Sequence, residues 1–164
     1  MRYLLYSFLL FFCLSPGLVM AEKPSDQRAL AEIKAGKILW DITLGNPEGL
    51  LSRLNVLEET YEDMVRQGIK PQMIFTFRGG AAGFIARDLS HLTMEQASAV
   101  DQVQLKLEGL MKRPGVHMEV CQIATRRFNI TRQAQLIPGV LLVGNTFLSI
   151  MGYENQGYST IRID

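Results

Sequence analysis

Short apolar runs recur along the chain, and most are nearly continuous rather than alternating: KILWDIT (37–43), KPQMIFTF (70–77), GVHMEVC (115–121), GVLLVG (139–144) and YSTIRI (158–163). A strand with one face in water alternates apolar and polar residues, whereas one covered on both faces does not. These runs therefore demand cover on both sides. The segments between them supply it. LGNPEG offers Asn46 as an N-cap and Pro47 at the first helical position. The helix opened there puts Leu50, Leu54, Leu57, Tyr61 and Met64/Val65 on one face and stops at Gly68. Thr93 and Gln96 form a capping box for a helix through Met111, apolar at Ala97, Val100, Val103, Leu107 and Leu110. Shorter helices are predicted over 122–129 and 145–152. Strands alternating with helices give βαβ units, a mostly parallel sheet and helices on both faces: a doubly wound α/β domain over 37–164.

The first residues belong to a different class. Arg2 precedes the apolar run YLLYSFLLFFCLSPGLV, and Val19 and Ala21 stand where an export signal is cut. The run is interrupted by Pro16 and Gly17 and falls short of the roughly 20 apolar residues of a membrane span. Residues 1–21 are thus expected to be a cleaved signal peptide and 22–36 an N-terminal arm, with export to the periplasm if the source is bacterial. The chain has 17 basic and 16 acidic residues, so losing Arg2 leaves the two signs equal. A neutral chain with scattered charge has no electrostatic reason to seek nucleic acid or, after cleavage, an anionic membrane. Cleavage also removes Cys13, leaving Cys121 as a single cysteine. Its options are a buried thiol, an intermolecular partner or a reactive sulfur.

Open parallel sheets place ligands beyond the carboxyl ends of their strands. Three segments share that edge here: the loop Gly45–Gly49 with Asn46, the turn Arg78–Gly83, and the step after Cys121. At a strand end and helix start, Cys121 meets the partial positive charge of exposed backbone N–H groups. Arg126 and Arg127 add to it if either turns back toward the sulfur. The competing reading is a small residue packed as a hydrophobe. Arg78, Gly79 and Gly80 are candidates for holding an anion, although GGAAG is neither a dinucleotide nor a P-loop fingerprint and glycine also serves a tight turn. Asp41 lies inside an apolar strand and needs a partner. His91 and His117 have no cysteine or carboxylate at metal-ligand spacing, so neither a metal nor a cofactor is expected. The acids Glu58, Glu59, Glu62 and Asp63 read as a solvated helix face.

Four stretches taken in order are more specific: KILWDIT with GNPEGLLSRLNVLEETYEDM, FTFRGGAAGF, GVHMEVCQIA, and LIPGVLLVGNTFLSIMGYENQGYSTIRI. Together they resemble the DsrE/DsrF-like sulfur-relay family over most of residues 37–163. The resemblance implies a flavodoxin-like three-layer α/β/α fold around a mostly parallel five-stranded sheet. It implies a homo-oligomer, trimer or hexamer, and a persulfide accepted on Cys121 and exchanged with a sulfur-donor or acceptor protein. The well-understood members act in the cytoplasm, which departs from the export signal here. Two functions of different classes follow. One is an exported persulfide carrier or sulfurtransferase. The other is a non-catalytic binding or assembly module with a structural cysteine; a third reading has the glycine turn hold a small anion.

Overall fold

A computed structural model describes residues 23–90 and 92–164; the signal-peptide reading and Cys13 lie outside the described residues, as does His91. Strands β1 (Ala35–Ile42), β2 (Lys70–Phe77), β3 (Val116–Cys121), β4 (Val140–Val143) and β5 (Ser159–Ile163) alternate with helices α1 (Pro47–Arg66), α2 (Met94–Met111), α3 (Gln122–Thr125) and α4 (Thr146–Asn155). All pairings between these strands are parallel, and the sheet order is β4-β3-β2-β1-β5. The fold is the expected flavodoxin-like α/β/α arrangement.

The order decides which face each helix covers. From β1 to β4 the chain steps in one direction, and right-handed crossovers keep the connecting helices on one face. The last crossover reverses: the chain leaves β4 and returns past β3, β2 and β1 to add β5 beside β1. The same handedness therefore puts α4 on the opposite face.

Local chemistry matches these elements. Asn46 Oδ1 accepts from the N–H groups of Glu48 (3.1 Å) and Gly49 (3.3 Å), Pro47 follows at the first helical position, and Gly68 at φ 77° ends α1. At α2 both halves of the Thr93–Gln96 capping box are present. Trp40, Ile42, Met73, Phe75, Phe77, Met118 and Val120 face α1 and α2 and join Leu50, Leu54, Leu57, Val103 and Leu107 in one buried cluster. Truncating one of these leucines to alanine costs about 2–5 kcal/mol. The acids on α1 are tied down: Glu58 receives Lys106 of α2 (2.7 Å) and Arg113 of the turn after it (2.7 Å), and Lys23 of the arm reaches Glu59 and Asp63.

Beneath α4 the sheet is different. Every second residue faces that side, and register brings Asp41, Thr76, Glu119 and Leu141 into one row across β1, β2, β3 and β4. Cys121 lies on the same face, two residues beyond Glu119. One face is hydrocarbon, and the other carries the chemistry.

Candidate functional site

Cys121 ends β3, is 4% exposed and stands at the N-cap position of α3. Two chain reversals meet at its sulfur. One is the start of α3, which brings the N–H groups of Ile123 and Ala124. The other is the start of α4, which brings the N–H and hydroxyl of Thr146. Burial is the largest single influence and raises the thiol's pKa, yet these donors together outweigh it and lower the pKa below the ordinary value. The Thr146 hydroxyl is fully buried and makes no hydrogen bond among the described residues. A thiolate gives it an acceptor.

The cation beside this sulfur is Arg78, just past β2. Its Nε donates to Asp41 Oδ1 at 2.7 Å and its Nη2 to Oδ2 at 2.5 Å, a bidentate pair that answers the need for a partner in the first strand. These hydrogen bonds raise the pKa of Arg78 against the opposing effect of its burial. The guanidinium also lies over the Phe147 ring of α4, 5.0 Å from its centroid. Arg78 thus spans β1, the sulfur and α4.

Glu119 and Tyr153 form the second polar pair under α4. Glu119 is 8% exposed; its Oε1 accepts from the Tyr153 hydroxyl at 2.8 Å, while its Oε2 has no donor among the described residues. Burial, then this hydrogen bond, push the pKa of Tyr153 up to about 12. Thr146 and Tyr153 are two helical turns apart, as Cys121 and Glu119 are two residues apart on the strand beneath. Helix α4 therefore reaches both groups, and it packs against β1, β2, β3 and β5.

The other sequence candidates divide. Gly79 and Gly80 do border the site, but their glycine character serves the backbone. A Cβ on Gly80 would come 2.5 Å from the Gly45 Cα, so the turn Gly79–Ile85 and the loop before α1 pass backbone against backbone. The Asn46 side chain is spent on capping α1. Arg126 and Arg127 are exposed on the 3₁₀ turn after α3, and Arg78 takes the place expected of them beside the sulfur. His117 is exposed four residues before Cys121, about 13 Å back along the strand and too far to pair with it. Thr146, Glu119, Tyr153 and Phe147 were not singled out from sequence. The signal for Thr146 was present in GNT: an N-cap asparagine after a strand at the shared edge.

A cavity of about 620 Å³ lies at the other end of the sheet between the arm and α1, lined by Lys23, Gln27, Glu32, Lys34 and Arg66. It is remote from the sulfur. Among the described residues no His, Cys, Asp and Glu cluster could hold a metal, and no helix is long and apolar enough to cross a membrane.

No family model matches the chain. It is similar to an uncharacterized protein of Aquifex aeolicus (strain VF5), 22% identical over 125 residues; the match covers 76% of this chain and 55% of that relative, so the chain spans about half of its length. Among solved structures it is similar to MTH1491, a protein of unknown function from Methanobacterium thermoautotrophicum. The TM-score is 0.60 and the identity 14%, covering 78% of this chain and 99% of the other. That likeness supports the α/β fold.

Proposed function

We propose that this chain is an exported sulfur-handling protein of the DsrE/DsrF-like kind, a carrier or sulfurtransferase that holds a sulfane sulfur on Cys121. The observation that carries the reading is the convergence of two helix starts and the Thr146 hydroxyl on one sulfur, which lowers its pKa although it is buried. The Cys121 thiolate attacks the outer sulfur of a donor persulfide. The donor's S–S bond breaks as the Cys121 S–S bond forms, and the donor leaves as a thiolate that takes up a proton. No net oxidation occurs, and no cofactor is needed. The same donors then hold the anionic persulfide until an acceptor thiolate removes its outer sulfur. The homo-oligomer, trimer or hexamer, and the export through residues 1–21 belong to this proposal and rest on the sequence resemblance and the leader-like run.

The small exposure of Cys121 favours a second reading, a binding or assembly module in which the cysteine is structural. Intact-mass spectrometry of residues 22–164 after exposure to polysulfide, with Cys121→Ser alongside, separates the two. A gain of one sulfur on the native protein alone, with half-maximal reaction below about pH 8.5, is expected. An unreactive folded protein whose thiol labels only after unfolding overturns the carrier reading.

A further inference from the structure

Helix α4 is apolar yet hardly buried. Its sequence is TFLSIMGYEN, and among its residues only Thr146 is buried. Phe147 is 60% exposed, Leu148 62% and Met151 55%. Their i, i+3 and i+4 spacing joins them in one stripe. Leu141 of β4 and Ile123 of α3 are also exposed. A helix this apolar is normally covered, and exposed apolar area at this density marks a contact surface. At Gly152 this face is open: among the described residues nothing lies within 4 Å of where its Cβ would stand.

The surface surrounds the sulfur. Ile123 and Phe147 each adjoin a backbone N–H that reaches Cys121. On the run leaving Cys121, Ile123, Arg126 and Arg127 stand three and four residues apart and share a face. The two arginines lie about 8–9 Å of helical rise from the cysteine. Both are exposed, and neither makes an ion pair among the described residues. The rim of the apolar stripe is therefore basic on the sulfur's side. With residues 1–21 cleaved as proposed, Cys121 is the single cysteine, so the sulfur it exchanges with comes from another molecule.

We infer that the α4 stripe with Arg126 and Arg127 docks an acidic partner protein that presents its own sulfur on an apolar-flanked segment. The inference rests on the carrier reading and specifies its partner. Apolar residues around the partner's cysteine cover Phe147, Leu148 and Met151, and its carboxylates meet the two arginines. In the exchange one S–S bond breaks and one forms, so no oxidant is required.

The test uses synthetic peptides, each with one cysteine activated as a 2-thiopyridyl disulfide between leucines, flanked by either glutamates or lysines. Attack by Cys121 breaks the peptide's S–S bond, forms a mixed disulfide and releases pyridine-2-thione, which is followed by absorbance. At about 0.01 M salt, where charges act over about 30 Å, the acidic peptide is expected to react about tenfold faster than the basic one; at about 1 M the ratio falls toward one. In the double variant Arg126→Glu/Arg127→Glu the ratio inverts. The ratio is taken within each protein, so a general change in thiol reactivity cancels. Equal rates with both peptides, in a protein that takes up sulfur from polysulfide, overturn this inference and leave the carrier reading standing. Failure of polysulfide uptake removes the carrier reading itself. Sedimentation at rising concentration supplies the remaining outcome: self-association that Phe147→Ser abolishes assigns the stripe to a second copy and overturns the acidic partner.

Discussion

Cys121 is held by opposing influences, and their balance makes its ionisation testable at one residue. Burial favours the neutral thiol; the N–H groups of Ile123, Ala124 and Thr146 and the Thr146 hydroxyl favour the thiolate, and they prevail. Replacing Thr146 by valine keeps the shape and the N–H but deletes one donor. A hydrogen bond to a charged group contributes about 1.5–3 kcal/mol, and each pKa unit corresponds to about 1.36 kcal/mol. The pH midpoint of iodoacetamide alkylation should thus rise by about one unit in Thr146→Val while the fold is retained. An unchanged midpoint would show that the hydroxyl does not serve the sulfur. The sequence made Cys121 legible through its place at a strand end. It could not reveal Thr146 and Arg78 as its neighbours, because they stand 25 and 43 positions away in the chain and meet it only through the crossovers. Arg126 and Arg127 were the nearer arginines in sequence, yet a helical run carries them outward.

Helix α4 joins the site at its first turn to the Glu119–Tyr153 pair two turns later, so its attachment depends on pH. Tyr153 has its pKa raised from 10.0 to about 12, by burial first and then by its hydrogen bond to Glu119. The folded state keeps this proton when the unfolded chain has lost it. The resulting stability is complete below about pH 10 and is lost as pH rises toward 12. Tyr158, raised by burial, acts in the same direction. In Tyr153→Phe the urea midpoint should be lower at pH 7, because Glu119 Oε1 loses its donor, at a cost of about 1–3 kcal/mol. Its decline above pH 10 should also be shallower, though not absent, since Tyr158 remains. Unfolding curves parallel to those of the native chain from pH 7 to 11.5 would refute the assigned pairing. The helix itself was legible over 145–152, three residues short of its end at Asn155. What it covers was not, since Glu119 reads as one acid in an apolar run and its facing tyrosine lies beyond the turn.

Across the whole molecule, cohesion falls from the middle of the sheet to its edges. Strand β2 is central, flanked by β1 and β3, and these three carry the buried aromatic and aliphatic rows; β4 is four residues long and β5 is mostly exposed. Strand composition and helix spacing made this α/β architecture legible. The return of β5 to the side of β1 was not, because a strand's neighbour is chosen by the crossover and not by its own residues. That return is what puts α4 alone on the sheet's polar face. Elements with little buried surface open locally at low cost, while a central sheet opens only with the whole protein. Amide exchange should therefore be slowest in β1, β2 and β3 and fast in α4 and α3. The sulfur sits at the junction of the two classes, fixed to well-buried β3 and covered by the first turn of the little-buried α4. Alkylation of Cys121 should accordingly proceed through local opening, with a rate that barely changes in dilute urea and climbs only near the unfolding transition. A labelling rate that instead rises with the full urea dependence of global unfolding would mean the thiol is reached only in the unfolded chain. Cys121 would then be a core residue, and the two helix starts around it a packing arrangement without chemistry.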